Sequence, residues 1–133
     1  MSNPINIIDL FSGPGGLGEG FSSYVTNRGK KEIHPYSIVM SVEKEQSAHQ
    51  TLQLRGFFRK FRNGKAPEEY YQYLRDPDEC PKDELFRLHP EEAQESIRET
   101  LTRPRALGSE DDSVIFRELS ALKQSRKGLW VVI

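Results

Sequence analysis

The sequence has 133 residues, 35% of them hydrophobic and 29% charged, enough for the buried core of one compact domain or one lobe of a larger one. Its 19 Lys and Arg against 20 Asp and Glu leave a formal charge of -1, which excludes a global electrostatic pull on nucleic acid and restricts any such contact to local patches. Cys80 is the only cysteine, which excludes an internal disulfide and a cysteine-rich zinc site, and with no secretory signal and no membrane-length apolar run a cytoplasmic protein without membrane contact is expected.

In chain order, Ile5, Ile7, Ile8 and Leu10 form a nearly continuous apolar run, the pattern of a parallel strand covered on both faces. A glycine-rich turn follows through Gly13, Gly15 and Gly16. Leu17, Phe21, Tyr24 and Val25 then fall on one helical face, which is expected to pack back onto the sheet, and Asn27 to Lys31 is expected to end that helix. Tyr36 to Val42 (YSIVMSV) predicts a second strand, with Glu43 at its end. Helical spacing resumes from Gln46 to Arg55 through Ala48 and Leu52, and Gly56 is placed to stop the helix in a left-handed conformation. Strand, helix, strand, helix over residues 1–56 argues for an open α/β fold with a parallel sheet.

Residues 57–128 are predicted to be a mostly helical insertion punctuated by prolines. Pro67, Glu68 and Glu69 open one helix, and Pro90, Glu91 and Glu92 open another that carries Ala93, Ile97 and Leu101 on a narrow stripe. Asp111, Asp112 and Ser113 offer caps for a last helix in which Ile115, Leu119 and Leu122 face one way. Leu129 to Ile133 (LWVVI) predicts a final buried strand. The segment Phe57 to Lys65 interleaves aromatics with cations, a composition that suits either a nucleic-acid backbone or the packing of the insertion on the sheet. His34, His49 and His89 lack ligand spacing and are expected on the surface, and no metal site is expected.

A helix amino terminus presents unpaired N–H groups and a partial positive charge, and glycines let a ligand approach the backbone. Gly13 to Gly16 could therefore hold a carboxylate or a phosphate. Pro14 removes one donor of the kind a pyrophosphate would use, which favours a nucleoside with an amino-acid tail over a dinucleotide. Glu43 stands where such folds bind ribose hydroxyls. The alternative is that the glycines only make a tight turn and that Glu43 caps the helix beginning near Gln46.

The wording Asp9-Leu10-Phe11-Ser12-Gly13-Pro14-Gly15-Gly16 resembles the first motif of the DNA cytosine-5 methyltransferases, and Ser41-Val42-Glu43 resembles their second. The resemblance covers about the first 55 residues and implies a partial Rossmann-like fold that binds S-adenosylmethionine. By it, Phe11 would lie against the adenine, Ser12, Gly13, Pro14, Gly15 and Gly16 would surround the methionine end, Asp9 would brace the loop and Glu43 would take the ribose hydroxyls. Lys44 follows the acid where the family commonly has an apolar or aromatic residue, and its stem could cover part of the adenine. The family's third motif has no clean counterpart: Asp111 and Asp112 look like a helix start, and Arg105 to Gly108 could take the place instead.

The family's chemistry requires a cysteine thiolate from a Pro-Cys loop after the fourth strand, to attack C6 of a flipped-out cytosine. LWVVI resembles that strand, and the 133 residues include no such loop; Cys80, in an acidic, Pro-containing stretch, is no substitute. The resemblance thus implies an incomplete methyltransferase domain without a catalytic residue, inactive alone, whose complete form would act on DNA in restriction-modification. Its alternatives are a non-catalytic cofactor-binding module, a split enzyme whose second chain or carboxyl-terminal part carries the cysteine, a tRNA cytosine methyltransferase and, least favoured, an NAD-dependent oxidoreductase.

Overall fold

A computed structural model of the chain describes residues 3–61 and 65–133. In order, the elements are β1 (Ile5–Leu10), α1 (Gly16–Ser23), β2 (Thr26–Arg28), β3 (Lys31–Ile33), β4 (Tyr36–Val42), α2 (Gln46–Arg59), α3 (Glu68–Arg75), α4 (Lys82–Leu88), α5 (Pro90–Glu99), α6 (Asp112–Ser125) and β5 (Trp130–Val132). The central β1 pairs in parallel with β4 on one side and β5 on the other. This mixed α/β arrangement is compatible with a partial Rossmann-like methyltransferase fold.

The apolar run of β1 is buried because the strand has a neighbour on each side. Of its two buried polar residues, Asn6 and Asp9, Asn6 uses its side-chain amide to donate to the carbonyls of Lys127 (3.1 Å) and Leu129 (3.2 Å). A buried amide without partners would be costly, so Asn6 specifies where β5 docks. Ile8, Val39, Met40 and Val42 form one core with Leu101 and with Ile115 and Leu122 of α6, the face expected from the sequence.

A second core lies among α2, α4 and α5, where Phe57, Cys80, Leu85 and Ala93 are buried together. Phe57 stacks on Phe86 at 4.8 Å and meets Phe61 edge-on at 5.2 Å. For these rings the packing reading of the aromatic-basic segment holds, and Cys80 is a packing residue. Arg59 and Lys60 of the same segment are paired with Glu99, while Arg62 lies outside the described residues.

Four expectations are corrected. Gly56 does not stop α2; the helix continues to Arg59 because α5 crosses there at close range, and a Cβ on Gly56 would stand 3.0 Å from Ser96 Oγ. The stretch around Gly29 is a short antiparallel hairpin, β2 with β3, rather than a helix end. Leu17, Tyr24 and Val25 are exposed, since α1 ends at Ser23 and rests on the sheet through its buried Gly18. Within LWVVI, β5 (Trp130–Val132) is an edge strand: Val131 is 40% and Val132 59% exposed, because among the described residues it pairs with β1 alone.

A fifth correction concerns His49, which is buried and whose Nε2 lies 2.8 Å from the Thr100 carbonyl. It belongs to a polar seam between α2 and α5: Gln53 Nε2 donates to Thr100 Oγ1 at 3.1 Å, and Ser96 Oγ donates to the Gln53 carbonyl. Every one of these groups finds its partner across the same interface, which fixes the register of the two helices.

Phe57→Ala should cost about 3–5 kcal/mol of stability in urea unfolding, from lost transfer energy and a cavity. Phe116→Ala, on the 59% exposed ring of α6, should stay within about 0.5 kcal/mol. Similar costs for the two would contradict a core centred on Phe57.

Candidate functional site at the carboxyl ends of β1 and β4

The chain leaves β1 towards α1 and β4 on one side, whereas β5 lies on the other, so the strand order reverses at β1. Open α/β sheets bind ligands in the crevice outside the carboxyl ends of the strands at such a point. Residues 11–15 form the loop there. It is tied to both neighbours: Leu10 N–H donates to the Ile133 carbonyl (3.0 Å) and Ser12 N–H to the Val42 carbonyl (2.9 Å). The Ser12 hydroxyl donates to the Asp9 carbonyl at 2.7 Å, and Gly15 N–H to the Ser12 carbonyl at 3.1 Å, which closes the turn.

The loop's backbone is strained at Phe11, a non-glycine residue at φ 53 whose ring is nevertheless 74% exposed. A left-handed residue with a large side chain costs of order 1–3 kcal/mol and persists where the surroundings over-determine it, commonly at a functional site. Here the bonds of Leu10 and Ser12 to opposite neighbours supply that constraint.

Gly15 stands at φ 93, at the N-cap of α1, and a Cβ there would approach Leu52 Cδ1 to 2.9 Å. It is a packing glycine. Gly13 and Gly16, by contrast, would direct a Cβ into open space, so their backbone borders the crevice, and Pro14 is exposed beside them. No side chain caps the amino terminus of α1, which leaves first-turn N–H groups available to an acceptor.

Glu43 lies directly after β4 and reaches across to this loop. Its Oε2 accepts the Gly13 amide at 2.6 Å, and its Oε1 accepts those of Lys44 and Glu45, each at 2.8 Å. Glu43 therefore does not cap α2. That role belongs to Glu45, whose carboxylate accepts from Ser47 N–H (3.0 Å) and Ala48 N–H (2.5 Å). Desolvation pushes the Glu43 carboxyl up, but the three backbone donors outweigh it and hold its pKa below the ordinary value.

Asp9 is the opposite case. It is buried within β1, its Oδ2 has no hydrogen-bond partner among the described residues, and a Cβ on Gly18 would stand 3.0 Å from that oxygen. Burial raises its pKa, with Ser12 and Arg59 pulling it down and Glu43 adding to the rise. Arg59 in turn donates to Glu19 of α1 at 3.1 Å and to Glu99 of α5 at 2.5 Å.

The structure thus brings Phe11, Ser12, Gly13, Pro14, Gly16 and Glu43 together at the carboxyl ends of β1 and β4, with Gly15 and the buried Asp9 behind them and Lys44 exposed beside Glu43. Sequence reasoning missed Gly18, whose lack of a side chain admits the Asp9 carboxylate, and it named Arg105 only within a possible third motif, not as the residue whose main-chain N–H donates to the Glu43 carbonyl at 2.8 Å. Spacing carries no signal for either, since both contacts depend on the tertiary approach of distant segments. Among the described residues no group of His, Cys, Asp and Glu is arranged to hold a metal, and no helix is long and apolar enough to cross a membrane.

The two acids carry opposite pH signatures. Glu43, with its pKa lowered by folding, contributes stability above the unfolded carboxylate range that is lost as pH falls through the lowered value. Asp9, with its pKa raised, contributes stability that is present below the unfolded range, near pH 4, and lost as pH rises through the raised value. In thermal melts from pH 3 to 7, Asp9→Asn should gain on the wild type as pH rises, and Glu43→Gln should lose ground to it. Stability differences independent of pH would contradict these assignments.

No family model and no solved structure matches the chain. Over 102 residues it is 34% identical to the type II methyltransferase M.Bpa9945I of Bacillus paralicheniformis, a match covering 73% of this chain and 21% of that protein. The chain thus spans well under two thirds of the length of the curated relative it matches. The similarity supports a methyltransferase family for this chain.

Proposed function

We propose that these residues are the cofactor-binding part of a DNA cytosine-5 methyltransferase, which transfers a methyl group from S-adenosylmethionine to cytosine C5. The observation that carries the reading is the Gly13 N–H to Glu43 bond, which joins the glycine loop and the acid beside an exposed, strained Phe11. The ring of Phe11 offers a face to the adenine, and Glu43, with one Oε2 lone pair still free, offers an acceptor to a ribose hydroxyl. The open backbone at Gly13 and Gly16 and the uncapped amino terminus of α1 suit the methionine carboxylate. S-adenosylmethionine, when bound, supplies a methyl group on a cationic sulfonium.

Charge separates this reading from a dinucleotide. A pyrophosphate would have to compete with Glu43 for the Gly13 amide, and Pro14 offers it no N–H. A ligand with a sulfonium and an ammonium group meets attraction at the same place.

Within these 133 residues nothing supplies the nucleophile. Cys80, the only cysteine, is buried with Phe57, Leu85 and Ala93, in the core away from the crevice. Binding without transfer is therefore expected of this chain by itself, with DNA as the substrate of the complete enzyme.

Calorimetric titration of the chain with S-adenosylhomocysteine should show saturable binding, and titration with NAD should show none. Phe11→Ala should weaken the binding about 10-fold or more, from loss of a base-stacking face worth about 1–3 kcal/mol. NAD binding without S-adenosylhomocysteine binding would sink the reading. Methylation of DNA by the isolated chain would contradict the assignment of no nucleophile.

A further inference from the structure

The segment from Leu101 to Asp112 joins α5 to α6 and has no part in the cofactor contacts proposed above. It opens on two consecutive left-handed residues that are not glycine, Leu101 (φ 61) and Thr102 (φ 70). One carboxylate then gathers it. Asp111 Oδ1 accepts from Arg105 Nη1 at 3.0 Å and from Arg103 Nη2 at 3.3 Å, while Oδ2 accepts the Ala106 amide at 3.0 Å and the Ser109 hydroxyl at 3.4 Å. Arg105 is held from its other edge by the Leu101 carbonyl, which accepts from Nε at 3.2 Å.

Asp111 stands at the N-cap of α6, where an aspartate normally accepts from the first-turn amides. Its side chain makes no such bond. It turns back onto residues 103–106 instead, so capping does not account for it. The loop that it organises meets the end of β4 through the main chain, Arg105 N–H to the Glu43 carbonyl at 2.8 Å. Glu43 is the residue whose carboxylate bridges to the glycine loop. Fixing its carbonyl fixes the peptide that orients its Cα–Cβ bond, and with it the direction in which the carboxylate is presented.

We propose that Asp111 is a positioning residue for Glu43: through Arg105 it holds the loop against the end of β4 and sets the acceptor that faces the crevice. Its bearing on the ligand rests on the reading of Glu43 as the ribose acceptor, whereas the link from Asp111 to Glu43 does not. Asp112 reinforces the loop independently, by accepting the Gly108 amide at 2.7 Å.

The test uses the full chain in two measurements: the pH titration of the Glu43 carboxyl by carbon-13 NMR, and calorimetric titration with S-adenosylhomocysteine. Asp111→Asn should move the Glu43 midpoint up from its wild-type value and weaken binding about 10-fold. A purely structural role would lower the melting temperature and leave the Glu43 midpoint in place, and that result overturns the inference. If Asp111→Asn does not fold by circular dichroism, Arg105→Gln carries the same test under the same criterion. Absence of binding by the wild type defeats the cofactor reading alone, because the Glu43 midpoint still decides the role of Asp111.

Discussion

The hydrogen bond from the Gly13 amide to the Glu43 carboxylate joins the ends of two adjacent parallel strands, and the crevice depends on it. Parallel strands end on the same side of a sheet without a turn between them, so nothing in the ladder itself orders the segments beyond their ends. The bond supplies that order between β1 and β4, and the Ser12 to Val42 bond seconds it. On the other side of β1, the Leu10 to Ile133 bond does the same for β5. A loop held from both sides can keep Phe11 in a left-handed conformation that it would not adopt in isolation.

Behind the crevice most buried polar groups are partnered; among the described residues Ser41 Oγ and His89 Nε2 are the exceptions. Arg59 bonds to Glu19 on α1 and to Glu99 on α5, so one guanidinium ties three helices together at the back of the sheet. Glu99 is buried with two cations against it, and Thr100, Gln53 and His49 satisfy one another beside it. At the crevice the accounting is different: Asp9 keeps an unpartnered buried oxygen, α1 keeps an uncapped end, and Phe11 keeps its ring in water. Polar groups left open on a rigid backing are what a ligand can complete.

The strands and the placement of the glycine loop were legible because their signals are local. Apolar runs at Ile5 to Leu10 and at Tyr36 to Val42 match β1 and β4, and the acids in the first turns of α3, α5 and α6 match the helix starts read from the sequence, although none of the three makes a side-chain cap bond. What was not legible depends on tertiary approach. Gly56 has the sequence context of a helix stop, yet α5 makes it a crossing point, and a glycine that ends a helix looks the same as one that admits a neighbour. His49 looked like a surface residue because its partner, the Thr100 carbonyl, is 51 residues away. The exposure of β5 is illegible in the sequence for the same reason: composition records that a strand is apolar, not how many neighbours it has.

Within the loop itself, one run of sequence carries three separate physical tasks. Gly15 is required by packing, since its φ strains any side chain and a Cβ would press on Leu52. Asp9 is a different case: its buried carboxyl is raised in pKa and has no partner on Oδ2 among the described residues. Gly13 lies between these cases: its conformation is left-handed, but the space beyond it is open and its amide already has an acceptor in Glu43. As pH rises through its raised value the ionised Asp9 carboxyl costs the fold stability, so burial of this acid is not accounted for by folding in the way that the packing of Gly15 is. A cation bound beside Asp9 and Glu43 would offset that cost, and the sulfonium of the proposed cofactor is one.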